Sequence, residues 1–339
     1  MKAIGYAQPH ALSAASGLQD ITLPTPVAQG HDLLVDVRAI SVNPVDTKVR
    51  ASAAPAAGDD YKVLGYDASG IVRAVGPEVT LFKPGDRVYY AGAIQRPGTN
   101  SELHLVDERV VGHMPASLDF AQAAALPLTS ITAWELLFDR LGVQPGKKPG
   151  GKSLLVIGAA GGVGSILIQL ARRLTGLTII GTASRPETKS WVQELGAHHV
   201  IDHTQPLTTQ LAALGIPHVD IVISLTHTGQ HLPQILELLA PQGQFGLIDD
   251  LPTLDVMPFK RKAISVHWEM MFTRPLFATP DMVAQHQLLN EVAQLVDAGL
   301  LRTTLADHYG PITAANLQRA HAYIESGAAR GKVVLEGWS

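Results

Sequence analysis

Residues 153–164, Ser-Leu-Leu-Val-Ile-Gly-Ala-Ala-Gly-Gly-Val-Gly, constrain the fold more than any other stretch. Leu154 to Ile157 is an apolar run of strand length, and Gly158, Gly161, Gly162 and Gly164 follow at once. Val163, Ile166, Leu167, Leu170, Ala171 and Leu174 then recur at helical spacing. This order predicts strand, glycine turn, helix. Glycine lets the backbone turn tightly and approach a pyrophosphate, and the helix N-terminus offers N–H groups and a positive dipole end. The stretch therefore reads as a dinucleotide site, with a ligand-free glycine turn as the alternative. The match to G-x-G-x-x-G is imperfect, because Ala159 holds the first glycine position.

A chain of 339 residues suggests two domains. With 46% hydrophobic and 17% charged residues it reads as globular rather than disordered. The net charge of −4, without a basic block, argues against nucleic acid and anionic membranes as partners. The start, Met-Lys-Ala-Ile-Gly-Tyr, does not read as a signal peptide, and no apolar run reaches bilayer length, so a cytoplasmic location is expected. There is no cysteine, which removes disulfides, iron–sulfur clusters and thiolate zinc sites. The 14 histidines are scattered and form no H-E-x-x-H pattern.

Along the chain, Met1–Tyr6, Leu33–Val42, Ala68–Val75 and Arg87–Ala91 read as strands separated by turns such as Gly76-Pro77 and Lys83-Pro84-Gly85-Asp86. Asp119 is placed to cap a short helix through Leu126, interrupted by Pro127, and Thr129 or Ser130 to cap a second one to about Arg140. Residues 144–152 form a polar loop whose three lysines read as solvated charge, and residues 51–57 read as a flexible alanine-rich loop. Then strands and helices alternate. Leu154–Gly158, Thr178–Ala183, His199–Ile201, Asp220–Leu225 and Gln244–Ile248 are strands, and Val163–Leu174, Glu187–Leu195, Leu207–Leu214 and His231–Leu239 are helices. Four such units in succession predict a doubly wound parallel sheet, with Ile264–Phe272 as one more strand at its edge. The tail, a helix at Asp281–Ala298 and short strands around a helix at Ala314–Glu325, is more like the first part than the second.

At this point the chain resembles the medium-chain dehydrogenase/reductase superfamily. The markers are Ser41-Val-Asn-Pro-Val-Asp-Thr-Lys48, Leu64-Gly-Tyr-Asp-Ala-Ser-Gly70, Val75-Gly76, Pro84-Gly-Asp-Arg-Val88, Ala124-Ala-Leu-Pro-Leu-Thr129 and the glycine turn. Asn43-Pro-Val-Asp46 is similar to the quinone oxidoreductase branch, and His267-Trp-Glu-Met-Met-Phe272 to a bacterial subgroup often labelled zinc-type alcohol dehydrogenase-like. The resemblance implies a GroES-like β domain, residues 1–126 and 278–339, split around an inserted Rossmann domain, residues 127–277. It also implies a homodimer through the edge strand Ile264–Phe272, since an apolar edge invites pairing with its symmetry mate.

Zinc alcohol dehydrogenases place a cysteine where this chain has Asn43 and a histidine where it has Tyr66, and their other cysteines have no counterpart. No zinc is therefore expected. Without that Lewis acid the chemistry shifts toward electrophiles that spread charge over a conjugated system. The resemblance thus implies hydride transfer from NADPH to a quinone or an α,β-unsaturated carbonyl. The alternatives are an alcohol dehydrogenase using a His/Asp/Glu metal site and a non-catalytic NADPH-binding protein.

By the same resemblance Asn43, Pro44 and Val45 lie near the nicotinamide. Asn43 is a candidate donor to the substrate oxygen or else a turn residue before proline. Lys48 is a candidate phosphate contact or proton donor, or a surface lysine. Tyr66 stands at a former metal-ligand position, to orient substrate or donate a proton, or else as a buried tyrosine. Thr129 matches a cofactor contact and also suits a helix cap. Ala160, Gly161, Gly162, Val163 and Gly164 surround the pyrophosphate, and His203, Leu247 and Ile248 are further cofactor contacts. Where an NAD site carries an acid, the second strand ends in Ser184-Arg185, with Lys189 one turn later, which reads as a 2′-phosphate site.

Overall fold

The computed structural model describes residues 1–11, 17–146 and 151–338. Lys147 and Lys148 of the polar loop lie outside the described residues. The chain forms two compact units: Met1–Ile131 with Phe272–Ser339, and Thr132–Met271.

The first unit is built on a long strand, Asp32–Val42. It pairs antiparallel with Ala68–Val75, with Leu103–Asp107 and with the C-terminal strand Lys332–Glu336. The C-terminal strand thus shares a seven-stranded sheet with strands from the first part of the chain, while Lys2–Tyr6 pairs with Gln19–Thr22 and Lys62–Val63 in a separate three-stranded sheet. Leu33, Val35, Val37, Ile40, Tyr90, Val333 and Leu335 are among the residues that fill its core. Strand Leu103–Asp107 and helix Pro44–Ser52 are absent from the sequence reading. Asn43, extended at φ −126°, ψ 156°, is the N-cap of that helix, and Pro44 follows at its first position. There the missing N–H costs nothing and the fixed φ suits the helix.

Proline acts the same way further on. The helix capped by Asp119, whose side chain accepts from the Gln122 N–H, ends at Ala124. Pro127 then begins the next helix, Pro127–Trp134, instead of interrupting one. Thr129 is therefore inside the first turn, with its hydroxyl donating to the Leu126 carbonyl at 3.2 Å, and is not a cap.

The second unit holds six parallel strands. These are β1 (Ser153–Ile157), β2 (Thr178–Thr182), β3 (His199–Ile201), β4 (Val219–Ser224), β5 (Leu239–Leu247) and β6 (Ser265–Trp268). Their order in the sheet is β3-β2-β1-β4-β5-β6, the doubly wound arrangement. Helices α1 (Gly162–Leu174), α2 (Pro186–Glu194), α3 (Leu207–Ala213) and α4 (Thr228–Leu238) connect the first five strands. The edge strand is four residues long, shorter than Ile264–Phe272, because the chain turns after Trp268 and enters a helix at Thr273–Phe277. No helix among the described residues is long and apolar enough to cross a membrane.

Candidate active site

The motif Ser41–Lys48 leaves the long strand of the first unit and enters helix Pro44–Ser52. Asp46, in the first turn, accepts the Asn43 N–H at 2.8 Å and the Gly65 N–H at 3.0 Å. Only glycine suits position 65: its φ is +112°, and a Cβ there would lie 2.4 Å from Thr99 Oγ1. Burial pushes the Asp46 carboxyl up to about 7, against the pull of those two N–H groups and of Lys332.

The Asn43 side chain is 1% exposed and engaged at both ends. Its Nδ2 donates to Asp67 Oδ2 at 2.8 Å, and its Oδ1 accepts from Lys332 Nζ. Lys332 Nζ also donates to the Val42 carbonyl at 3.0 Å and to Asp67 Oδ2 at 2.9 Å. The other Asp67 oxygen accepts the Leu128 N–H at 2.7 Å, at the start of helix Pro127–Trp134. Burial raises the Asp67 carboxyl, and Lys332 and Asn43 draw it back. A carboxamide so engaged holds its loop in place, and its remaining N–H has only the distant carbonyls of Ser41 at 3.4 Å and Tyr66 at 3.5 Å. Asp67 and Lys332 went unnoticed as site residues. Their signals were an acid inside the Leu64–Gly70 motif and a lysine heading the apolar strand Lys332–Glu336.

Tyr66 follows Gly65 and is 1% exposed. Its ring packs edge-on against Phe272, 5.3 Å between centroids at 68°. Burial raises the phenol well above the ordinary tyrosine range, and the neighbouring Asp46 and Tyr6 add to this, so the hydroxyl stays protonated. Phe272, read from sequence as a family marker and the end of the edge strand, is thus the ring that packs on Tyr66. Pro44 is exposed, Val45 half-buried, and Lys48 exposed on the same helix. Thr129 is buried.

In the second unit the glycine turn joins β1 to α1. Gly158 sits at φ +82°, in the left-handed region. A Cβ on Gly164 would stand 2.5 Å from the carbonyl oxygens of both Gly158 and Ala159, so glycine is what lets the helix start this close to the turn. Ala160, Gly161, Gly162 and Val163 remain half-exposed at the N-terminus of the 13-residue α1, where the first N–H groups have no partner within the helix. This cradle fits a pyrophosphate.

After β2, Ser184 and Arg185 are half-buried, and Arg185 stands at the N-cap of α2. Each basic side chain of this loop faces an acid. Arg185 Nε lies 3.3 Å from Glu187 Oε1, and Lys189 Nζ 3.1 Å from Asp202 Oδ2. The sequence reading missed Asp202, which lies just past β3. His203, next to it, is exposed with its ring 6.5 Å from that of His231, and burial lowers its pKa. Leu247, buried, ends β5, and Ile248 beyond it is half-exposed.

No three His, Cys, Asp or Glu side chains stand together to hold a metal ion among the described residues. The amide of Asn43 and the protonated phenol of Tyr66 are poor zinc donors, and the chain has no thiolate to add.

Comparison with known proteins fits this geometry. Residues 29–124 match the model of the alcohol dehydrogenase GroES-like domain, and residues 195–335 that of the zinc-binding dehydrogenases. A zinc-type alcohol dehydrogenase-like protein of Staphylococcus aureus (strain MSSA476) is 39% identical over 338 residues, covering 99% of each chain. The chain belongs to the medium-chain dehydrogenase/reductase superfamily. Its first unit is the superfamily's GroES-like domain and its second the Rossmann domain. Like other members it is an oxidoreductase with a nicotinamide cofactor. A crystal structure from Rhizobium etli CFN 42, provisionally described as a zinc-dependent alcohol dehydrogenase, is 60% identical with a TM-score of 0.96, covering 100% of this chain and 98% of that one. The Escherichia coli quinone oxidoreductase complexed with NADPH is 25% identical with a TM-score of 0.83, covering 99% of this chain and 100% of that one.

Proposed function

We propose that this superfamily member reduces a quinone or an α,β-unsaturated carbonyl with NADPH and without a metal. The observation that carries the reading is the closed Asn43–Asp67–Lys332 cluster at a position where zinc relatives hold a cysteine ligand. Charge developing on a substrate oxygen must then be met by hydrogen-bond donors, and a conjugated acceptor spreads that charge. Tyr66 supplies the donor, a phenol that burial keeps protonated. The nicotinamide, when bound, supplies the hydride. In the first unit Pro44, Val45 and Thr129 are the candidates for its ring end, and in the Rossmann domain Leu247 and Ile248 are candidate cofactor contacts. Gly161, Gly162, Val163 and Gly164, with Ala160, receive the pyrophosphate. Ser184 and Arg185 receive the 2′-phosphate, with Lys189 and His203 beside them. Lys48, exposed on its helix, reads better as a phosphate contact than as a proton donor.

The E. coli quinone oxidoreductase, structurally similar and holding NADPH, supports the cofactor and the substrate class. A screen of quinones, enones, aldehydes and alcohols with NADPH and NADP⁺, alongside elemental analysis, tests the reading. Turnover of quinones or enones that survives a strong chelator, with far less than one zinc per chain, is expected. Stoichiometric zinc with alcohol oxidation would overturn it in favour of an alcohol dehydrogenase, and NADPH binding without any turnover in favour of a non-catalytic role. We also propose a homodimer through β6, where Trp268 is 51% exposed and Met270 beside it is also exposed. Sedimentation as a monomer at micromolar concentration would refute it.

A further inference from the structure

The loop that follows β2 is charge-balanced. Arg185 faces Glu187, and Lys189 faces Asp202. The two partners of the second pair differ in freedom. Asp202 is pinned: its Oδ1 accepts the Thr204 N–H at 2.9 Å and the Thr204 hydroxyl at 2.7 Å. Its backbone is clamped by Gln210, whose Oε1 accepts the Asp202 N–H at 2.8 Å and whose Nε2 donates to the Asp202 carbonyl at 2.8 Å. Lys189 reaches it on a flexible four-carbon stem and is 42% exposed, against 22% for Asp202. The carboxylate is the fixed member and the ammonium the movable one. A phosphate arriving beside Ser184 and Arg185 therefore meets a lysine already engaged and a negative charge that cannot turn away.

We propose that Asp202 is a specificity-determining residue: its carboxylate competes with the 2′-phosphate of the cofactor for Lys189 and so narrows the discrimination between NADPH and NADH. The proposal rests on the 2′-phosphate reading given above. It assigns a function to an acid just past the third strand, where the usual acidic determinant of an NAD site stands at the end of the second. The acid at this place does not bind the ribose; it holds back the cation that would bind the phosphate.

The test titrates adenosine 2′,5′-bisphosphate and adenosine 5′-monophosphate against wild type, Asp202→Asn, Lys189→Met and the double variant, at low and at physiological salt. Asparagine keeps an oxygen for Thr204 and replaces the charged oxygen that faces Lys189 with an uncharged amide NH2. Asp202→Asn is expected to raise the ratio of bisphosphate to monophosphate affinity roughly two- to fivefold, the range of a partly exposed ion pair. The gain shrinks as salt rises and is smaller in the Lys189→Met background. An unchanged or lower ratio in Asp202→Asn, or an equal gain in the absence of Lys189, overturns the proposal. The 2′-phosphate reading is judged separately: if neither wild type nor Asp202→Asn binds the bisphosphate better than the monophosphate, that reading fails, whereas a wild-type preference that Asp202→Asn leaves unchanged refutes only the role of Asp202.

Discussion

Lys332 Nζ lies 2.9 Å from Asp67 Oδ2, and the two side chains are 3% and 0% exposed. They are 265 residues apart in sequence. The pair joins the last strand of the chain to the loop at Tyr66, and through Asp67 to the N–H of Leu128. It thereby fixes the residues assigned to nicotinamide and substrate. A buried pair of this kind is costly to break, because removing one partner strands the other charge.

Lys332→Met should therefore lower unfolding stability by about 3–5 kcal/mol. Urea denaturation measures it. Lys332→Met with Asp67→Leu should recover much of the loss, because no charge is left buried alone. If the single variant is as stable as wild type, the cluster does not hold the loop.

Tyr66→Phe should reduce kcat with an enone roughly a hundredfold, the scale for removing one preorganised donor. The Michaelis constant for NADPH should change far less. Because burial, with Asp46 and Tyr6, raises the phenol, no loss of activity from Tyr66 ionisation is expected up to about pH 10, the ordinary tyrosine value. Full turnover in the phenylalanine variant would leave Tyr66 a packing residue.

Arg185→Ala should lower the ratio of catalytic efficiencies with NADPH and NADH by roughly tenfold, the low end for a charge-assisted hydrogen bond, because Arg185 is part-exposed and shared with Glu187. Ser184→Asp should lower it further by adding repulsion. An equal loss with both cofactors would mean that Arg185 does not meet the phosphate.

Glu269, just past β6, is buried beside Glu135, and Arg140 lies 2.7 Å from the former and 3.4 Å from the latter. One cation serves two carboxyls, so burial and the charge of Glu135 push Glu269 up to about 8. In the native state it stays protonated, whereas in the unfolded chain it ionises above about pH 4.3. Its contribution to stability is thus full below that pH and is lost as pH rises through 8, at most about 1.4 kcal/mol per pH unit. Glu269→Gln mimics the protonated form. Its stability relative to wild type should rise from pH 5 to pH 8, followed by thermal or urea unfolding across that range. A difference that does not vary with pH would show that Glu269 is ionised throughout.

The sequence by itself determined the Rossmann domain nearly element by element. Its signals are local: an apolar run, a glycine turn and a 3.6-residue period fall within residues 153–174, and β3 has the bounds that its pattern predicts, as does helix Ala314–Glu325 of the first unit. Helix Pro44–Ser52 was hidden because Asn43-Pro44 reads as a turn, and the start of helix Pro127–Trp134 was misplaced because Pro127 reads as a break, although at a first helical position proline is a start. The absence of cysteine was equally legible and bears on zinc without any coordinates. The partners of the site's polar groups were not legible. The Asn43 amide oxygen reads as unpartnered until strand Lys332–Glu336 lies beside strand Asp32–Val42 and brings the Lys332 ammonium to it. Lys189 reads as a free cation until β3 lies beside β2 and brings Asp202 within 3.1 Å. Strand pairing joins residues that no local pattern connects. Which hydrogen bonds and charges a side chain has left for a ligand is therefore decided only by the tertiary structure.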